Sequence, residues 1–440
     1  MLVLEAKLTG KLSQYRVIDD IIRAAQFVQN KALRFWMDSS PEDKVNRYSL
    51  NKYCAVLAAN PEYPWVRKLN SMARQASAER AWVAISRFYE NCKAKNPGKK
   101  GFPKFKQFNR SVEYKTSGWK LSPDRKTLNL TDGFEAGSFK LVGTQDLNFY
   151  RIDQIKRLRI VRRADGYYAQ FCVDVERHEK IKYTGSQIGI DVGLAHFYTD
   201  SNGEKVKNPR YFRASQKRLK KAQRCMSRRY RNPNKGSECG LGVSLSGAPR
   251  VKKGETMTKT KTPQSKRYHK ARILVARKHL GVSRQRKDFV VKTARCVVQS
   301  NDLIAYEDLK VRNMVKNHKL AKSISDASWS MFREWLEYFA KVFDKVVVAV
   351  PPHYTSQNCS NCGTVVKKSL SVRTHFCPAC KTVLDRDENA AINILMKALE
   401  ILEKDTVGHT EIHAHRQSDL CSVGEILLGK SSGKTHKGRK

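Results

Sequence analysis

Residues 375–395 read HFCPACKTVLDRDENAAINIL. Cys377 and Cys380 have the C-x-x-C spacing of a metal-binding knuckle, and Asp385, Asp387 and Glu388 open an alanine-rich helical run directly behind it. The knuckle has a partner upstream, CSNC at 359–362, so the whole pattern is C-x2-C-x14-C-x2-C. Two knuckles at this spacing supply four thiolates to one tetrahedral zinc ion, through Cys359, Cys362, Cys377 and Cys380. Four protein ligands leave no open coordination position, so the expected zinc, one per chain, is structural. The linker GTVVKKSLSVRTHF alternates enough to predict a short hairpin within it, and His353 and His375 read as bystanders.

The acidic run stands out because the rest of the chain is basic. Its 440 residues hold 85 Lys+Arg against 41 Asp+Glu, a net charge of +44. A compact chain with that charge repels itself unless a polyanion accompanies it, and nucleic acid is the natural partner, held largely through its phosphates. Hydrophobic residues make up 40%, enough for cores in two or three domains and too many for a disordered polymer. No apolar run is long enough to cross a bilayer. There are 11 cysteines, and the seven outside the knuckles (Cys54, Cys92, Cys172, Cys225, Cys239, Cys296, Cys421) lack paired spacing. An odd total without a signal-like N-terminus predicts a reducing setting, the cytoplasm or nucleoid, and argues against a disulfide scaffold.

Along the chain, residues 1 to about 10 alternate like a strand. IDDIIRAAQFVQNKALRFWM places apolar residues at 18, 21, 22, 25, 28 and 32, near helical spacing. SMARQASAERAWVAISRFYENCKA predicts a second helix with Ala76, Trp82, Ile85 and Phe88 inward and Arg74, Arg80 and Arg87 reaching solvent. KNPGKKGFPKFKQF breaks the pattern and interleaves Phe with cations, among them Lys104 and Lys106, which suits base stacking and phosphate contact or a basic loop with Phe anchors. From 111 to 180 the chain reads as β, in LNL, GSFKLVG, LRIVRR and YYAQFCVDV. SQIGIDVGLAHFYTDSNGEKV adds two strands and a turn at Ser201-Asn202-Gly203. YFRASQKRLKKAQRCMSRRYRN then supplies a cationic helix with Lys217, Lys220, Lys221, Arg224, Arg228 and Arg229 as candidate nucleic-acid contacts. Residues 231–265 read as a flexible insertion, a second basic helix follows, and residues 405–440 read as a flexible basic tail. NDLIAYEDLKV and KVVVAVPP complete the strands.

Asp191 lies inside the apolar strand IGIDVGLA, Glu307 closes the apolar strand LIAYEDLKV, and Asp387 sits where a helix begins. Three carboxylates at such positions suit hard cations. Mg²⁺ prefers oxygen ligands, and two such ions can drive phosphodiester hydrolysis. Spacing alone does not bring the three together.

IGIDVGLA, LIAYEDLKVRNM, SISDASWSMFREWLEY, PPHYTSQNCSNCG, VRTHFCPAC and DRDENAAINIL, in this order, closely resemble the TnpB (OrfB-type) proteins of insertion sequences, which are similar to compact type V CRISPR effectors. The motifs are dense from about 186 to 400 and weaker before that, in RAAQFVQNKAL and KGFPKFK. The resemblance implies an α/β and α+β multidomain chain. A β-barrel wedge domain would occupy 1–12 and 98–183, and a helical recognition domain 13–97. A RuvC-like, RNase H-type nuclease domain would take 184–352 and 382–404, with a zinc ribbon inserted at 353–381. Matched by motif, Asp191, Glu307 and Asp387 are the implied catalytic and Mg²⁺-binding residues, with Asp385 a rival to Asp387. The N-terminal segments, Gln75 among them, would read a short DNA motif beside the target.

The implied function is an RNA-guided DNA endonuclease of a transposon. Its guide RNA comes from the transposon end and pairs with double-stranded target DNA, and cleavage depends on magnesium, with two ions expected. The alternatives from other classes are a guided DNA-binding repressor that does not cut, and a transposase that joins ends itself.

Overall fold

The computed structural model describes residues 2–94, 100–231, 264–369 and 372–407. The chain divides into two compact units, Met1–Arg177 and His178–Lys440. The expected insertion lies outside the described residues over 232–263, and the tail does so from 408 onward.

In the first unit, strand β1 (Leu2–Thr9) precedes helices α1 (Leu12–Asp38), α2 (Arg47–Ala59) and α3 (Ser71–Lys93). Six strands follow: β2 (Ser111–Tyr114), β3 (Trp119–Leu121), β4 (Thr127–Leu130), β5 (Gly137–Val142), β6 (Ile155–Arg163) and β7 (Gly166–Val173). The apolar spacing of α1 is its buried stripe: Ile18, Ile21, Ile22, Ala25, Val28 and Ala32 are all in the core. Asn46 and Asn70 cap α2 and α3 by accepting from first-turn amides. The strands form one antiparallel sheet in the order β2-β6-β7-β1-β5-β4-β3. A closed barrel is expected, but the ladders among the described residues run from β2 to β3 without joining the ends. Among these residues each edge strand is paired on one side only, β2 with β6 and β3 with β4.

Two arginines expected in solvent are instead engaged. Arg74 donates to the carbonyl of Val66, and Arg80 pairs with the buried Glu113 at 3.3 Å. Glu113 also accepts from Arg157 at 2.6 Å and Arg159 at 2.8 Å. A carboxylate this buried survives because three guanidinium groups surround it.

The second unit begins with β8 (Gln187–Val192), β9 (His196–Asp200) and β10 (Lys205–Lys207), then the basic helices α4 (Tyr211–Arg228) and α5 (Lys266–Ser300). Next come β11 (Leu303–Glu307), α6 (Val311–Met314), α7 (Ala321–Ala327), α8 (Trp329–Phe343) and β12 (Val346–Val350). A small hairpin, β13 (Thr374–Phe376) with β14 (Val383–Asp385), leads straight into α9 (Arg386–Val407). The five-stranded sheet has the order β10-β9-β8-β11-β12. β11 runs parallel to both β8 and β12, while β8, β9 and β10 are antiparallel.

Alternation along the strands separates two cores. Ile188, Ile190, Ile304 and Tyr306 face Val290, Ala294, Phe332 and Leu336 of α5 and α8. Ala305 and Val350 face Ile394 and Ala398 of α9 on the other side. α9 can lie this close because residue 189 is glycine. A Cβ there would be 2.9 Å from the Leu395 nitrogen and 3.0 Å from Leu395 Cβ, and closer still to the carbonyl oxygen of Ala391.

Candidate active site

The register Tyr306↔Ile190 brings the next residues, Glu307 and Asp191, side by side at the C-terminal ends of two parallel strands. Successive side chains alternate, so both point to the α9 face. Gly189 lies under Ala391; two residues farther along β8 is Asp191, and one helical turn before Ala391 is Asp387. Two strand residues and one helical turn span nearly equal lengths, about 6.6 and 5.4 Å, so the seat of α9 brings the acids together.

Their charges register it. Burial pushes Asp191 well above the usual carboxylate range, and the charges of Glu307 and then Asp387 push it further, with Arg386 and Arg373 offsetting part. Glu307 is also raised by burial, opposed by a hydrogen bond from Thr355 and by Lys397. Asp387 is met by Arg373 and Arg386, each at 3.3 Å. Asp385 differs. It is held by Lys205 at 2.6 Å and accepts from the Asp387 amide at 2.8 Å. For Asp385 the burial that would raise it is outweighed by these partners, which leave it lowered.

Several contributing residues escape sequence reasoning. Thr355 Oγ1 donates to Glu307 Oε1 at 2.5 Å. The side chain of Asn393 donates to the carbonyls of Thr355 and Asn358, each at 2.8 Å. Asn389 donates to Asn358 at 2.8 Å and accepts from the Ser360 amide at 2.9 Å. Both asparagines are buried on α9, so they pin the approach to the first knuckle onto that helix. Two polar residues four apart in a buried helical stripe were a legible signal; Thr355 in YTSQNC offered none.

The four knuckle cysteines converge, with all Sγ atoms within 4.8 Å of one another. The pairs Cys359–Cys380 and Cys362–Cys377 are 3.6 and 3.5 Å apart. Tetrahedral zinc with Zn–S near 2.3 Å requires S···S of about 3.8 Å, so the cluster fits a zinc ion. Both knuckles fold alike. The amides of Cys359 and Cys377 donate to Thr364 and Thr382, and the left-handed position falls on Gly363 (φ 74) and Lys381 (φ 60). The predicted hairpin is displaced: β13 and β14 flank the CPAC knuckle, which is their turn, while the described residues of the linker contribute β13 and an isolated bridge from Val365 to Asn358. His375 is buried beside Lys368 and is not in the cluster. Cys54, Cys92, Cys172, Cys225 and Cys296 are free thiols, and Cys239 and Cys421 lie outside the described residues.

Among the nucleic-acid candidates, Lys217, Lys220, Lys221, Arg224, Arg228 and Arg229 are exposed, and Lys220, Arg224 and Arg228 recur every fourth residue along one face of α4. Lys104 and Lys106 are exposed in a segment tied to α1 through Asn30. Gln75 is half-buried on α3. No helix among the described residues is long and apolar enough to cross a membrane.

Two family models match the chain. One described as "Probable transposase" (OrfB of the IS605 type) covers 170–238 and 248–318, and one described as "Cas12f1-like, TNB domain" covers 329–394. A protein of Streptomyces pristinaespiralis named "Putative RNA-guided DNA endonuclease" is 37% identical over 49% of this chain and 46% of its own length. One of Escherichia coli (strain K12), "Putative RNA-guided DNA endonuclease InsQ", is 23% identical over 86% and 88%. Over these parts the chain is similar to OrfB-type and RNA-guided endonuclease-like proteins. The chain spans about half the length of the first relative and nearly nine-tenths of the second. Among solved structures it is similar to a Cas12f1–sgRNA–target DNA complex, with 13% identity and a TM-score of 0.48, over 88% of this chain and 83% of that one.

Proposed function

We propose that this protein is a TnpB-type RNA-guided DNA endonuclease of a transposon, with Asp191, Glu307 and Asp387 as its catalytic carboxylates. The observation that carries the reading is that Glu307 and Asp387 both bear on the buried Asp191, in a chain of net charge +44. Gathering negative charge where phosphate must approach is unfavourable unless cations join it. Carboxylate oxygens are the donor set that Mg²⁺ prefers, and bound there Mg²⁺ would activate the attacking water and stabilise the leaving oxygen. A sheet with three antiparallel strands extended by two parallel ones, in the order β10-β9-β8-β11-β12, supports a RuvC-like, RNase H-type nuclease domain.

In this reading the protein's own residues divide the work. Thr355 fixes the Glu307 carboxylate, while Asn389 and Asn393 tie the zinc ribbon to α9 and so fix Asp387. The cationic face of α4, with Lys217, Lys220, Lys221, Arg224, Arg228 and Arg229, grips the phosphates of guide RNA or heteroduplex. The first unit would supply wedge and recognition domains, with Gln75, Lys104 and Lys106 near the DNA. Asp387 is preferred to Asp385 as the third acid because it, and not the Lys205-bound Asp385, acts on Asp191. A repressor that only binds gives no account of the three interacting acids.

The test uses protein purified with its RNA, that RNA sequenced to define the target. Asp191→Asn should bind target DNA as tightly as the wild type and lose cleavage by at least a thousandfold. Undiminished cleavage by this variant refutes the assignment.

A further inference from the structure

Beside Glu307 lies a cavity of about 380 Å³ that none of the assigned roles uses. Its size falls within the range of about 300–1,000 Å³ typical of small-molecule sites. Val192, Leu309, Val311, Phe332 and Leu336 give it apolar walls. Trp329 also lines it, only 6% exposed, and its indole Nε1 is buried without a hydrogen-bond partner. A buried indole N–H ordinarily has an acceptor. A second lining residue, Arg333, has its Nε buried without a hydrogen bond, 3.6 Å from a Glu337 oxygen, while its Nη1 donates to Asp308 at 2.7 Å. Exposed Lys310 and Arg312 add positive charge to the lining. Trp329 and Ser330 belong to the first turn of α8, where amides have no intrahelical acceptor.

Apolar walls, an unmet donor and a cationic edge together describe the complement of a nucleotide. We infer that this cavity takes one nucleobase of the single-stranded DNA presented to the carboxylates. The base lies between the apolar walls and accepts from Trp329 Nε1 through a ring carbonyl or nitrogen, while its phosphate runs across Lys310 and Arg312. Because Glu307 lines the same cavity, seating that base sets which phosphate reaches the acids. This rests on the reading of Asp191, Glu307 and Asp387 as a cleavage site.

The test labels the RNA-loaded protein with 5-fluorotryptophan and follows its six tryptophans by ¹⁹F NMR, with Trp329 assigned by Trp329→Phe. Calcium replaces magnesium, and the probes are a single-stranded hexathymidylate and an abasic hexamer of the same charge. The Trp329 resonance should shift saturably with hexathymidylate, and at least tenfold more of the abasic oligomer should be needed for any shift. Val311→Phe, which fills the cavity from a half-buried wall, should weaken hexathymidylate binding roughly tenfold and leave the abasic oligomer unaffected. The other tryptophan resonances report whether that variant is folded. Equal responses to the two oligomers, no response of Trp329, or no effect of Val311→Phe in folded protein overturns the inference. The nuclease reading is judged separately: if Asp191→Asn abolishes cutting while Trp329 stays silent, only the cavity's role falls.

Discussion

Gly189→Ala adds one methyl group where β8 meets α9, and it should disable the protein without touching a carboxylate. The added carbon would lie 2.9 Å from the Leu395 nitrogen and 3.0 Å from Leu395 Cβ, with the Ala391 carbonyl oxygen nearer still. Carbon contacts are comfortable from about 3.5 Å. The obstructing atoms are largely helix backbone, so no side-chain rotation relieves them, and α9 must retreat by something on the order of 1 Å. Overpacking of this kind costs about 1–3 kcal/mol, a fall of roughly 3–10 °C in melting temperature for a domain of this size. Asp387 rides on the same helix, and a displacement of about 1 Å at a reacting centre can cost roughly a hundredfold in rate. Cleavage should therefore fall about a hundredfold while RNA binding through α4 persists. Gly281→Ala is the matched control: it sits in α5 with nothing within 4 Å of the new methyl, and should stabilise by about 0.5–1 kcal/mol. Unchanged melting and cleavage in Gly189→Ala would refute the argument that this close approach delivers Asp387.

Thr355→Val should lower cleavage about tenfold and raise the magnesium concentration needed for half-maximal rate, while Thr355→Ser restores both; titrations of the three proteins decide it. Glu113, normally near 4.5, is carried to about 2 in the fold: burial would raise it, but Arg157, Arg159 and Arg80 outweigh that. Its folded value is depressed, so its stabilisation is complete above about pH 4.5 and is lost as pH falls through about 2. Glu113→Gln should cost about 3 kcal/mol at neutral pH and flatten the acid dependence of melting over that window. Cys359→Ser should leave the purified chain with less than one bound zinc, by elemental analysis, and should expose the segment before α9 to protease. Cleavage should fall in the same variant, because the first knuckle is bonded to Asn389.

Much of this was legible from residue types and their spacing. A four-cysteine pattern announces a cluster able to hold zinc because the ligand chemistry depends on few residues close in sequence. The stripe of α1 and the alternation of β8 and β11 are likewise local periodicities, and they placed Asp191, Glu307 and Asp387 on the right elements. What tertiary structure decided is what depends on contact between distant segments. Arg74 and Arg80 read as solvent-facing because nothing in α3 announces Val66 or Glu113. The hairpin fell around CPAC because the knuckle itself closes the turn, with Lys381 in the left-handed conformation. The separation of Asp387 from Asp385 came from Lys205, which lies 180 residues from Asp385 in the chain. Sequence named the acids because each stands out locally; only the register of β8 with β11, and a glycine thin enough to seat α9, brought their charges together.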